Sequence, residues 1–143
     1  MTDFGVDQMP VFENADELYA CIGGMFKKVK SHPQMKEMWT TLKLAVKFTY
    51  TQPEASIMLV SCNGEQSIYY GDCDVKPDIE LAMTGDVAHQ FWMGEINVMG
   101  AIIKRQIVPV GSLSKILMLK PLIKAVIKIY PEHYQQFVLK HPS

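Results

Sequence analysis

The sequence predicts an α+β domain whose helices gather on one face of a mostly antiparallel sheet. Three observations predict it: helical spacing of apolar residues near the start, a change to period-two alternation from Leu44, and a return to helical spacing after Gly111. Strands do not alternate with helices, as a doubly wound sheet requires. With 143 residues and 48% hydrophobic content, one domain over 1–143 can bury its core without metal or disulfide.

Asn14 followed three residues later by Glu17 is a capping-box pattern, and Leu18, Cys21, Ile22, Met25 and Val29 recur at helical spacing. A helix over about 15–30 follows. Gly23 and Gly24 weaken it by roughly 1 kcal/mol each relative to alanine, which predicts close packing against another element. Ser31-His32-Pro33 ends it, and Met35, Met38, Trp39 and Leu42 mark a short second helix, completing the N-terminal helices at about 42. Leu44, Val46, Phe48 and Tyr50 then share one face of a strand, opposite Lys43, Ala45, Lys47 and Thr49. Gln52-Pro53-Glu54 breaks it, "SIMLVSC" supplies a second strand, and Asn63-Gly64 turns the chain into "QSIYYG".

"DIELAM" alternates again, and Thr84 caps a short helix through Met93, with Asp86 near its positive end. "INVMGAIIKRQIVPV" reads as a long last strand, with Gly100 at a bulge or a close approach of the backbone. The sheet with its short helix thus spans about 43–110. Helices fill about 111–140, with Pro121 and Pro131 as kinks or restarts.

Charge is unevenly placed along this plan. Residues 54–95 hold eight acids against Lys76, a balance of −7, while 104–143 hold seven bases against Glu132, a balance of +6. The two regions either neutralise each other in the fold or leave a basic tail for an acidic partner or a membrane. A net charge of −1 argues against bulk attraction to nucleic acid. The acidic start lacks a signal core, and no apolar run is long enough to span a bilayer, so a cytoplasmic location is expected.

Chemistry-bearing motifs are scarce. His32, His89, His133 and His141 have no partner at metal-ligand spacing, and Cys21, Cys62 and Cys73 form no paired short spacing. No nucleophile elbow, phosphate loop or dinucleotide fingerprint is present, so no catalytic residue, metal or cofactor is assigned. His89, beside an aromatic pair, is the one conceivable base, and a satisfied surface histidine is the simpler reading.

The apolar inventory says more. On a helix from Pro121, Leu122, Ile123, Val126, Ile127, Ile129 and Tyr130 span an arc of roughly 160°, wider than one packing contact needs. Such a helix covers the sheet and also lines a cavity, or it meets a partner or lipid surface. Ten methionines, among them Met83, Met93, Met99 and Met118, suit an irregular apolar wall as well as ordinary core filling.

The run "DIELAMTGDVAHQFWMGEINVMGAIIKRQI", followed by "GSLSKILMLKPL", resembles the sterol carrier protein 2 family, in particular its short single-domain microbial members. The resemblance covers about 44–140 and is carried by Asp78–Met83, Phe91–Gly94, Gly100 and Leu113–Leu122. Gly100 is followed here by Ala101-Ile102-Ile103-Lys104-Arg105 in place of the family's basic-apolar alternation, and no glycine closes the segment. The resemblance implies a five-stranded sheet covered by helices and enclosing a hydrophobic tunnel. That tunnel would bind fatty acids, acyl-CoA thioesters, phospholipids or sterols without chemical change.

Local pattern then nominates Phe91, Trp92, Met99, Gly100, Ile102, Ile116, Leu119, Ile123 and Ile127 as tunnel wall, and Lys120, Lys124 and Lys128 as headgroup or membrane contacts. The expected partner is a hydrophobic small molecule, with transient membrane or enzyme contact and a monomeric or homodimeric state. The alternative is an interaction subunit whose apolar C-terminal helix docks on itself or on a lipid- or steroid-metabolising enzyme.

Overall fold

The computed structural model describes residues 10–62 and 64–140. Residues 1–9, Asn63 of the predicted turn and residues 141–143 lie outside them. The first helix begins where the sequence places it: the Asn14 Oδ1 accepts from the Glu17 N–H at 2.9 Å, while Glu17 reaches back to the Glu13 N–H at 3.0 Å. It runs as α1 (Ala15–Leu18), a π-helical turn (Tyr19–Gly23) and α2 (Gly24–Ser31). Gly23 lets Tyr70 pack closely, since a Cβ there would lie 2.8 Å from the Tyr70 ring. Pro33 opens α3 (Pro33–Leu42), and Lys43, at φ 51°, closes it.

The strands are β1 (Ala45–Thr51), β2 (Ala55–Cys62), β3 (Glu65–Tyr70), β4 (Ile79–Thr84) and β5 (Val108–Val110), in the order β3-β2-β1-β4-β5. All neighbours are antiparallel except the central β1–β4 pair, in which Val46, Phe48 and Tyr50 register with Ile79, Leu81 and Met83. That shared face is buried under helices, as the alternation predicts. The opposite face carries Lys47, Thr49 and Glu80, with the Thr49 hydroxyl donating to the Glu80 carboxylate at 2.8 Å.

Thr84 caps α4 (Gly85–Trp92) by accepting from the Val87 N–H. The long last strand is not formed. Its first part is α5 (Val98–Ile103), and only Val108–Val110 pair with β4. Asn97 causes the change: in extended conformation, its Oδ1 accepts from the Gly100 N–H at 2.6 Å and starts a helix. Gly100 is therefore a helix residue and not a bulge, and the group it approaches is the Asn97 cap.

Ser112 caps α6 (Leu113–Leu117), and α7 (Lys120–Lys140) follows after a tight turn. Pro121 stands in the first turn of α7, where its missing N–H costs little, and Pro131 lies inside without ending the helix. The long helix α7 packs across α4, α3, α2 and the π-helical turn. Its Leu122, Ile123, Val126 and Tyr130 join the buried core with Phe26, Phe48, Leu81 and Trp92.

Candidate functional site

Where α4 ends, Gly94 turns the chain at φ +81°, a conformation that glycine adopts without steric cost. The turn brings the following residues against α7, so closely that a Cβ on Gly94 would sit 3.1 Å from the Ile127 Cγ2. Between these segments lies a groove of about 360 Å³. Phe91, Ile96, Val98, Ile123 and Ile127 give it apolar walls, while Glu95 and Asn97 stand on one rim and Lys120 and Lys124 on the other. A larger cleft of about 550 Å³ lies beside the β1–β2 turn, but Lys47, Thr49, Glu54 and Asp72 line it, so it suits polar rather than apolar ligands.

The groove brings together Phe91, Ile123, Ile127, Lys120 and Lys124 from the predicted set. The other positions lie elsewhere. Trp92 is 2% exposed, its ring edge-on to Phe26 and Phe48 and its centroid 4.6 Å from that of Phe91, and its indole N–H has no acceptor among the described residues. Ile116 and Leu119 are buried in the core, and Ile102 is half-buried against it. Met99 is exposed and Gly100 half-buried on α5, and Lys128 is exposed on α7. Glu95, Ile96, Asn97 and Val98 escape the sequence reading because they lie where it draws a strand. The signal for them is Asn97 itself, a cap residue three positions before Gly100.

A polar chain links α4, α7 and the π-helical turn. His89 on α4 meets the Tyr130 hydroxyl of α7 at 2.9 Å through Nδ1, and that hydroxyl lies 3.8 Å from the Cys21 Sγ in the π-helical turn. The His133 Nε2–H donates to the Cys21 carbonyl at 2.7 Å. Burial pushes the Cys21 thiol up to about 11, so it stays protonated near neutral pH and is a poor nucleophile. Burial likewise raises the Tyr130 hydroxyl far above its usual range. His89 is lowered by burial, against the opposing pull of Glu95 and Asp86, and His133 is lowered chiefly by burial.

Among the described residues, no group of three or more His, Cys, Asp or Glu could hold a metal ion. The acidic and basic regions meet in a single described ion pair, Lys115 with Asp78 at 3.7 Å, and both side chains are exposed. No described helix is long and apolar enough to cross a membrane.

No protein-family model matches the sequence, and no curated protein matches it. Solved structures do. The sterol carrier protein 2 of Yarrowia lipolytica, in its apo form, aligns with a TM-score of 0.61 at 16% identity, over 72% of this chain and 87% of that one. The sterol carrier protein domain 2 of Helicoverpa armigera aligns with a TM-score of 0.66 at 12% identity, over 78% and 89%.

The chain has the sterol carrier protein 2 fold. A third structure with this fold, sterol carrier protein 2 from Aedes aegypti in complex with the C16 fatty acid palmitate, aligns with a TM-score of 0.50 at 18% identity, over 76% and 93%. The fold also matches part of the stereoselective inverting sec-alkylsulfatase Pisa1 from Pseudomonas sp., with a TM-score of 0.53 at 16% identity. There it covers 62% of this chain and only 14% of that larger one. The sterol carrier protein 2 fold expected from residues 78–122 is thus the fold found, and β5 and α5 are where its sequence reading needed correction.

Proposed function

We propose that the protein binds, and carries or presents, a hydrophobic ligand without changing it: a fatty acid, acyl-CoA, phospholipid or sterol. The observation that supports this is the apolar groove between the α4–α5 connection and α7, with lysines on one rim, in a sterol carrier protein 2 fold. An acyl chain would enter between Phe91, Ile123 and Ile127, with its polar end near Lys120 and Lys124. Deeper entry would open a tunnel toward Trp92, Ile102, Ile116 and Leu119, and Lys128 would meet a longer headgroup. An oxygen on such a ligand would give the buried Trp92 N–H the acceptor it lacks among the described residues, and leaving that donor unpaired costs ~1–3 kcal/mol.

Magnitudes favour a chain over a ring system in the groove as it stands. A volume of about 360 Å³ holds about twelve water-sized groups at ~30 Å³ each, so a medium-length chain fits and a sterol needs α7 to shift. Each buried methylene contributes ~0.8 kcal/mol, so eight to ten of them supply roughly 6–8 kcal/mol against the cost of association. No catalytic residue or cofactor has a part in this reading, and a cytoplasmic monomer or homodimer suffices for it.

The test is titration with a fluorescent fatty acid, then competition by fatty acids, acyl-CoA thioesters and sterols. Saturable one-to-one displacement is expected, and failure to take up any apolar probe would overturn the reading. A second reading, an interaction subunit, draws on Leu139 and Val138, which are exposed at the end of α7. It predicts a dimer or an enzyme complex by light scattering, lost on Leu139→Asp.

A further inference from the structure

The two edges of the sheet are unequally protected. β5 closes one edge with only three residues, and Pro109 at its centre offers no N–H to a neighbouring strand. β3 forms the other edge over six residues, "EQSIYY", with neither proline nor lysine among them to deter pairing. Among the described residues its backbone bonds only to β2, which leaves the donors and acceptors of its outer side open to another strand.

On the helix side this edge is bordered by bases. Ile68, which registers with the core residue Leu59, lines a hollow of about 570 Å³ together with Lys27, Lys30 and Ser31 of α2 and Lys36 of α3. A second hollow, of about 550 Å³, continues round the α2–α3 corner past Lys28 and His32. No acid lines either one among the described residues. Lys27 lies over the Tyr70 ring, 5.8 Å from its centroid, and Lys28 donates to the Gln136 side chain at 3.4 Å. Lys30 and Lys36 are exposed and make no ion pair among the described residues, so their charge is left for a ligand from outside the fold.

We infer that the β3 edge and the α2–α3 corner together receive an extended acidic segment of a partner protein, added as a further strand with its acids at alternate positions. Side chains of a strand alternate between faces, so every second one of the added strand stands on the Ile68 side, over the hollow and its lysines. The others stand on the outer face beside Tyr69, which is 42% exposed. Backbone pairing supplies the affinity, and the lysines select the sequence. A second copy pairing antiparallel through β3 is the poorer fit, because a continuous sheet would set the two groups of lysines on one side, against each other. None of the residues of this hollow lines the apolar groove, so the inference stands apart from the ligand-binding reading.

The full chain is titrated with a fluorescent peptide of alternating Glu and Val, long enough to span β3, and binding is read by anisotropy. Saturable binding that weakens with salt is expected. N-methylation of one alternate set of peptide amides should abolish it while methylation of the other set leaves it, the signature of a strand paired on one side only. Lys30→Gln with Lys36→Gln should weaken binding roughly twofold to thirtyfold, with an unchanged urea midpoint reporting an intact fold. Equal binding of a peptide with its Glu and Val in separate blocks, equal binding of both methylated forms, or an unchanged affinity in the lysine variant would overturn the inference. So would absence of binding up to about 1 mM peptide. In that case, binding to phosphatidylglycerol vesicles that the same variant loses would assign these lysines to a membrane instead.

Discussion

Tyr130 holds one hydroxyl between two elements that share no sequence proximity, taking His89 from α4 and Cys21 from the first helix. Because His89 and His133 both sit below their ordinary value through burial, the unfolded chain takes up protons that the folded chain refuses. The sign follows directly: stability is unaffected above 6.5, where both states are neutral, and is lost as pH falls from 6.5 toward the lowered folded values. Urea midpoints measured from about pH 7 down to about pH 5 should therefore fall, and His89→Gln should reduce the fall. An unchanged slope in that variant would remove His89 from the account. None of this network is legible in the sequence, because Cys21, His89 and Tyr130 come together only once α7 has crossed the other helices.

Elements were legible where one face alone is buried. Period two exposed β1 and β4 because Val46 and Leu81 must face helices while Lys47 and Glu80 must not, whereas β2 was read from its apolar run between Pro53 and Asn63-Gly64. Alternation says nothing of partners, so the parallel register of β1 with β4 was not readable. The failure at α5 has a different cause, since Ile96-Asn97-Val98-Met99 suits either geometry by composition and the Asn97 cap decides. The turn before it makes a sharp prediction. Gly94→Ala forces a side chain into φ +81° and against Ile127, and should cost about 1–2 kcal/mol. Chemical denaturation gives the number, and a neutral result would show that the α4–α5 connection can be redrawn without penalty.

For the molecule as a whole, half of the groove was legible and half was not. The α7 wall follows from the spacing of Ile123 and Ile127, whereas the facing wall is a connection whose residues carry no period. If that groove holds the ligand, Ile127→Ala removes apolar contact worth ~1–2 kcal/mol and should weaken decanoate binding between about fivefold and thirtyfold. Thermal stabilisation by decanoate checks this independently, since wild type at a hundredfold excess over Kd should gain ~2.7 kcal/mol. Equal gains in the two proteins would move the ligand elsewhere.

Sequence identities of 12–18% alongside TM-scores of 0.50–0.66 show how little of this fold depends on particular side chains. The order of elements along the chain sets when its parts can first meet. On the ribosome, β1, β2 and β3 emerge together and can close as neighbours, but the sheet is incomplete until β4 inserts parallel to β1, which requires a long return of the chain. Of the described elements α7 emerges last, and it touches α2, α3 and α4 alike. A nascent chain halted before Lys120 therefore has every strand of the sheet and no clasp across its helices, so chaperones would find their longest opportunity in the interval before α7 is made.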